Sequence, residues 1–324
     1  MEQQELNNDI LKRTRNKAKV FVTFVILSWM TLLFFFLNKS RDEHSLVFAQ
    51  ILPNGWKPTP PNFNIVIDDS TDWININPQI DPNLVILDTN DIDSIIVNPQ
   101  VGSSFSLKQY APPVLSQGQL GSCVAWATTY AGMTIVKRIE MENKANSPFA
   151  PLELYVRMKR LLRESPCSYG AYIPYALNLL KRKGCTLFKN ASLSCEKVKV
   201  SNDVEYRDKL YGFDEISSKD ISKIKRAISN KMPIVFGIDS YENFGWHNAV
   251  LVDGVWNGYH SGNKDGGHAM CIVGYDDKKA GGSFEIMNSW GEDWGDKGFF
   301  WIKYEDFKLN VDECYALLAK PRKK

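Results

Sequence analysis

Three short stretches of this 324-residue chain carry residue types that could do covalent chemistry. In Gln117-Gly118-Gln119-Leu120-Gly121-Ser122-Cys123-Val124-Ala125-Trp126 a glycine-rich turn delivers a cysteine to the start of a helical stretch. Unpaired N–H groups and the positive dipole end of a helix start favour a thiolate over a thiol, which a sulfur nucleophile needs. In Gly266-Gly267-His268-Ala269-Met270-Cys271-Ile272-Val273-Gly274-Tyr275 a histidine enters a strand behind two glycines, which let a substrate backbone approach closely. In Met287-Asn288-Ser289-Trp290-Gly291, followed by Asp293-Trp294-Gly295, an amide carbonyl can accept a hydrogen bond from an imidazole and fix its orientation. An indole beside it would shield that bond from water.

These groups need elements to hold them. A helix beginning near Ser122, with Ser122 available as its N-cap, runs through Ala125, Trp126, Ala127, Tyr130 and Ile135. A second helix over Ser218–Asn230 sets Ile221, Ile224 and Ile228 at helical spacing and stops before Met232-Pro233. Ile234-Val235-Phe236-Gly237-Ile238 has the length and β-branching of a buried strand. Met270–Tyr275, Phe284–Met287 and Phe299–Tyr304 read as further strands bounded by Gly and Asp turns. The first half is helix-rich and the second strand-rich, so the fold class is α+β.

Composition narrows the function classes. With 39 Lys+Arg against 37 Asp+Glu the net charge is +2, too small a cationic surplus for phosphate contacts, so no nucleic-acid partner is expected. A hydrophobic share of 44% argues against both a disordered chain and a polytopic membrane protein. The 6 cysteines are too few and too scattered for a disulfide scaffold. No C-x-x-C or H-x-x-x-H spacing occurs, so neither a metal nor another cofactor is expected. Cys167, Cys185 and Cys195 lie near enough in sequence for one bridge of open pairing, and Cys271, on a buried strand, reads as a free thiol. His44, His247 and His260 read as surface residues, His44 close to a membrane.

The amino terminus differs from the rest. Residues 1–19 hold Lys12, Arg13, Arg15, Lys17 and Lys19 against Glu2, Glu5 and Asp9, which accounts for the whole surplus. Val20–Leu37 follows without a charge, Pro or Gly, and as a helix it would span roughly 27 Å at ~1.5 Å per residue. It reads as an uncleaved signal anchor with the basic tail cytoplasmic and the remainder on the extracytoplasmic side; the alternative is secretion after cleavage. Residues 38–104 are acidic and rich in Pro and Asn, with short β-branched runs such as Asn64–Ile67 and Leu84–Leu87. They read as a spacer and packing arm, the alternative being a pro-segment lying on the domain that begins near residue 105.

Taken together, the three blocks, in this chain order, resemble the papain-like cysteine peptidases. Gln117 and Cys123 look like that family's oxyanion-hole glutamine and nucleophile. His268, 145 positions after Cys123, looks like its histidine, and Asn288, 165 after Cys123, like its orienting asparagine. The resemblance covers about two thirds of the chain and implies a helical half and a β-barrel-like half with the active-site cleft between them. Cys167-Ser168-Tyr169-Gly170-Ala171-Tyr172 looks like a degraded form of the segment lining one cleft wall. Leu120 stands where the family usually has a disulfide cysteine and Val124 where it usually has tryptophan, which suggests a divergent branch of bacterial type.

The resemblance implies hydrolysis of peptide or protein substrates. His268 would take the proton from Cys123, giving a thiolate–imidazolium pair at neutral pH. The thiolate attacks a peptide carbonyl, and the Gln117 amide with the Cys123 N–H stabilises the oxyanion. His268 then protonates the leaving amine and activates the water that hydrolyses the thioester, while Asn288 holds its ring. A catalytically silent peptide-binding protein is one alternative. A Cys-His acyl transferase or transglutaminase is the other, disfavoured because Asp usually completes such a pair.

Overall fold

A computed structural model describes residues 55–59, 66–67, 74–75, 101–142, 147–162, 164–188, 194–198, 208–241, 244, 251–258 and 262–320. The basic tail, the apolar run 20–37, the Leu84–Leu87 run, His44, His247 and His260 lie outside the described residues. Among the described residues no helix is long and apolar enough to cross a membrane.

Among the described residues eleven strands follow in chain order: β1 (Val66–Ile67), β2 (Ile74–Asn75), β3 (Ser104–Ser106), β4 (Gly212–Ile216), β5 (Ile234–Tyr241), β6 (Leu251–Val252), β7 (Val255–Trp256), β8 (Lys264–Asp276), β9 (Ser283–Met287), β10 (Phe299–Lys303) and β11 (Val311–Leu318). β1 and β2 form a separate antiparallel pair. The other nine make one sheet in the order β4-β11-β5-β8-β9-β10-β7-β6, with β3 pairing β8. β8 is its spine: it pairs β5 and then β3 along one edge, and β9 along the other. β5, β9 and the inner part of β8 are buried almost throughout, as their continuous apolar runs require.

The helices gather in the first half. The central helix runs as Cys123–Ala125, a π-helical stretch Trp126–Met133, and Thr134–Glu140. It has no polar face along Cys123–Met133, and each residue there is buried. A Cβ on Gly132 would come within 2.6 Å of Leu317 and 3.3 Å of Val235, so glycine is what lets this helix sit down on β11 and β5. Helices Pro151–Leu161 and Ile173–Arg182, each opened by a proline in its first turn, pack beside it.

Several local expectations change. Ser122 holds the N-cap position, but its hydroxyl donates back to the Leu120 carbonyl and caps nothing, because the turn closes on itself. The second helix begins at Ile221, where Asp220 accepts from the Lys223 N–H; Ser218 instead donates to the Val311 carbonyl. The strand expected to reach Tyr304 ends at Lys303, and Tyr304–Asn310 is helical with Glu305 and Asp306 in its first turn. Cys167 pairs with Cys195, while Cys123, Cys185, Cys271 and Cys314 are free thiols.

Candidate active site

The fold brings Cys123, His268, Asn288 and Gln117 to one place. Cys123 heads the central helix, whose start meets β8. The Cys123 sulfur accepts from the Ala269 N–H at 3.4 Å, so it lies against the residue next to His268. His268 sits in β8, one residue beyond Gly267, and is fully buried. Its Nε2 is 2.8 Å from Asn288 Oδ1, at the end of β9, and its ring stacks on Trp290 with centroids 4.5 Å apart. Trp294 meets Trp290 edge-on at 5.2 Å, so an aromatic wall excludes water from the His268–Asn288 bond.

The other imidazole nitrogen, Nδ1, is buried and has no hydrogen-bond partner. Buried polar atoms are rarely left so. With Asn288 Oδ1 accepting at Nε2, the Nε2 position carries the proton and Nδ1 is the basic nitrogen. Gln117 is clamped across the halves: Ser289 donates to its Oε1 at 2.5 Å, its Nε2 donates to the Leu120 carbonyl at 2.9 Å, and its N–H reaches the Ser289 carbonyl at 2.8 Å.

Residues 55–59 occupy this site. The Gly55 N–H donates to the Cys123 sulfur at 3.3 Å. The Trp56 N–H donates to the Gly267 carbonyl at 2.9 Å, and Trp56 pairs in parallel with Ala171. On that side Ala171 N–H donates to the Gly55 carbonyl at 2.6 Å and Lys57 N–H to the Ala171 carbonyl at 2.9 Å. The segment is thus a short strand laid between the two halves, with the Trp56 side chain 3% exposed. A Cβ on Gly55 would fall 1.9 Å from the Gly121 carbonyl oxygen, so only glycine permits this approach to the sulfur. The arm is more than a spacer at these residues, because a buried indole and three backbone hydrogen bonds hold it in the cleft.

Occlusion also changes the electrostatics. Burial pushes the Cys123 thiol up to about 11 against the pull of the Ala269 and Gly55 N–H groups. Burial pushes His268 down to about 4, opposed by its bond to Asn288. Burial under the strand therefore works against charge on both groups, thiolate and imidazolium alike.

The same region holds residues whose part was not legible in sequence. Lys159, on the helix Pro151–Leu161, has a fully buried side chain; its ammonium reaches Glu164 at 2.7 Å and the Tyr169 and Gly170 carbonyls. It pins the loop that carries Ala171 to the cleft edge. Glu313 of β11 accepts from the Trp56 indole N–H at 2.6 Å. Neither belongs to a recognisable motif, and Trp56 is one of two tryptophans in the arm, with nothing in its spacing to mark it.

Residues 103–317 match the profile of the papain family cysteine proteases. The chain belongs to this family. An uncharacterized peptidase C1-like protein, L477, of Acanthamoeba polyphaga mimivirus is 28% identical over 257 residues, 75% of each chain. Cathepsin K of Mus musculus is 28% identical over 195 residues, 59% of this chain and 56% of the cathepsin. Among solved structures, xylellain, a cysteine protease from Xylella fastidiosa, superposes with a TM-score of 0.60 at 22% identity, covering 84% of this chain and 98% of its own. Bromelain from Ananas comosus in complex with the E64 inhibitor gives 0.53 at 19% identity, covering 67% and 100%. The papain-like fold and the cysteine peptidase class follow from these matches.

Proposed function

We propose that this papain-family peptidase hydrolyses peptide bonds through Cys123, His268 and Asn288, and that it is latent until residues 55–59 leave the cleft. The observation that carries the first part is the buried, partnerless His268 Nδ1 in a ring fixed by Asn288 and Trp290. Nδ1 is the atom that takes the Cys123 proton and later gives it to the leaving amine. The Gln117 side-chain amide and the Cys123 N–H, at the helix start, are the donors available to the oxyanion. Ser289 and Leu120 keep the Gln117 amide at the cleft floor before substrate arrives.

Latency rests on what the strand offers the sulfur. Cys123 meets the Gly55 N–H, whereas the Gly55 carbonyl is turned to Ala171. The Gly55 carbonyl is thus not presented for attack, and residues 55–59 block the site without offering that bond as a substrate. Displacing it admits water and substrate, and the thiolate–imidazolium pair becomes affordable in solvated surroundings.

In the cell, the reading is of an enzyme tethered by residues 20–37 with its catalytic domain on the extracytoplasmic side. The basic run before the apolar stretch and the Cys167–Cys195 bridge support this. The test is labelling of the full chain, in detergent, by a cysteine-directed epoxide, beside Cys123→Ala and with unstructured peptides as substrates. Labelling confined to Cys123 and cleavage lost in Cys123→Ala are expected. A folded chain that is neither labelled nor active between pH 4 and 9, with or without displacement of the segment, sinks the reading. For the tether, protease added to the cytoplasmic side of sealed membranes should spare residues 38–324.

A further inference from the structure

Lys159, on the helix Pro151–Leu161, carries its ammonium out of reach of water, and each of its three donors meets an acceptor: Glu164 at 2.7 Å, the Tyr169 carbonyl at 3.3 Å, and the Gly170 carbonyl. Burial lowers its pKa, and the bond to Glu164 opposes that. Glu164 is partly exposed and also accepts from the Ser168 hydroxyl at 2.8 Å, so the carboxylate ties the buried cation to the loop before Ala171. A cation is costly in such a place, and a methyl-ended side chain of similar length would fill the space without that cost. A methyl could not hold the two carbonyls.

One of those carbonyls shares its peptide unit with the cleft. The Gly170 C=O and the Ala171 N–H lie in one trans peptide plane, in which the two groups point in opposite directions. Holding the carbonyl inward on Lys159 therefore aims the N–H outward, where it donates to the Gly55 carbonyl at 2.6 Å. A positive charge on the oxygen side also polarises the amide and strengthens the N–H as a donor. The Ala171 carbonyl accepts from the Lys57 N–H at 2.9 Å, so the two groups of Ala171 clamp a strand laid in the cleft. An extended substrate that replaces residues 55–59 meets the same two groups.

We infer that Lys159 is a positioning residue for this backbone clamp: by holding and polarising the Gly170–Ala171 peptide from behind, its ammonium sets the grip on the latent segment and on an extended substrate alike. It touches neither the sulfur nor the imidazole. The inference rests on the proposed peptidase reading and adds to it a group that acts on binding and leaves the chemical step alone.

The test places Lys159→Met in two full-length backgrounds. One is the unsubstituted chain; the other carries Gly55→Ala, which evicts the strand by the clash with the Gly121 carbonyl and touches no catalytic group. Labelling at Cys123 is read by mass spectrometry with two reagents, iodoacetamide, too small to reach Ala171, and a peptidyl epoxide long enough to pair with it. In the unsubstituted background Lys159→Met should speed iodoacetamide labelling about fivefold or more, because the segment is held less tightly. In the Gly55→Ala background it should slow the peptidyl epoxide about tenfold and leave iodoacetamide within about twofold; KM for an extended peptide should rise about tenfold with kcat nearly unchanged. Both signs are required. A merely structural cation would move the two reagents together. If Lys159→Met does not fold, Glu164→Ala, which loosens the ammonium and leaves it in place, decides by the same two signs at about two- to threefold. Equal effects on both reagents in the opened chain, or no effect on either, overturn this inference and leave the peptidase reading standing. No labelling of Cys123 by either reagent in Gly55→Ala overturns both.

Discussion

Cys123 and Cys271 are both completely buried thiols, and His268 lies three positions before the second of them on the same strand, yet their surroundings are opposite in kind. The Cys123 sulfur sits at a helix start and receives two backbone N–H groups, from Gly55 and Ala269. The Cys271 sulfur lies within β8 and can only donate, weakly, to the Ile272 carbonyl at 3.7 Å. Burial raises both thiols, but nothing opposes it at Cys271, whose thiol is pushed well above the range of a working nucleophile. What covers the two also differs. Cys271 is enclosed by sheet neighbours, whereas part of the cover over Cys123 is the segment 55–59, which the proposed latency requires to leave. An inert cysteine and a latent one are distinguished by the donors around the sulfur and by whether the cover is removable.

Substitution should break that comparison most sharply at the nucleophile. In the Gly55→Ala chain, Cys123→Ala should reduce peptide cleavage by about 10⁴-fold or more, the scale seen when a covalent catalytic unit loses its nucleophile. Next comes the orienting amide. Asn288→Ala frees the imidazole to rotate and should lower kcat/KM about 10²-fold, with a shifted acid limb of the pH–rate profile that a purely structural defect would not produce.

The cover is the third lever. Gly55→Ala by itself should raise the epoxide labelling rate of the full chain about 10- to 100-fold, since it forfeits the burial of Trp56, worth ~1.5–3 kcal/mol. No change in labelling would mean that the segment does not hold the site closed.

The smallest effect belongs to the inert thiol. Cys271→Ala should leave kcat/KM within about twofold and cost about 1–2 kcal/mol of stability as a small cavity, read by denaturant unfolding.

Much of this was legible in the chain. The helix behind Cys123 shows in its uninterrupted apolar run, and the β5, β8, β9 and β10 strands show in their β-branched and aromatic stretches between glycine turns. Cys123, His268 and Asn288, the proposed catalytic groups, stood out because each sits in a tight backbone context that demands particular neighbours: glycines before the cysteine and histidine, an indole after the asparagine. Glu313 and Lys159 carry no such context. A carboxylate on a strand and a lysine on a helix look like any solvated charge until the elements around them close.

The sequence by itself therefore determined the class of fold and the candidate groups, because cysteine, histidine and asparagine each stand in a local pattern of glycines and indoles that can be read along the chain. Tertiary structure alone decided which cysteines pair, that burial raises the Cys123 thiol, and that Gly55-Trp56 fills the cleft with its indole on Glu313. Those outcomes depend on distance, exclusion of water and the fit of a flat ring against two glycines, and none of these is a property of neighbours along the chain.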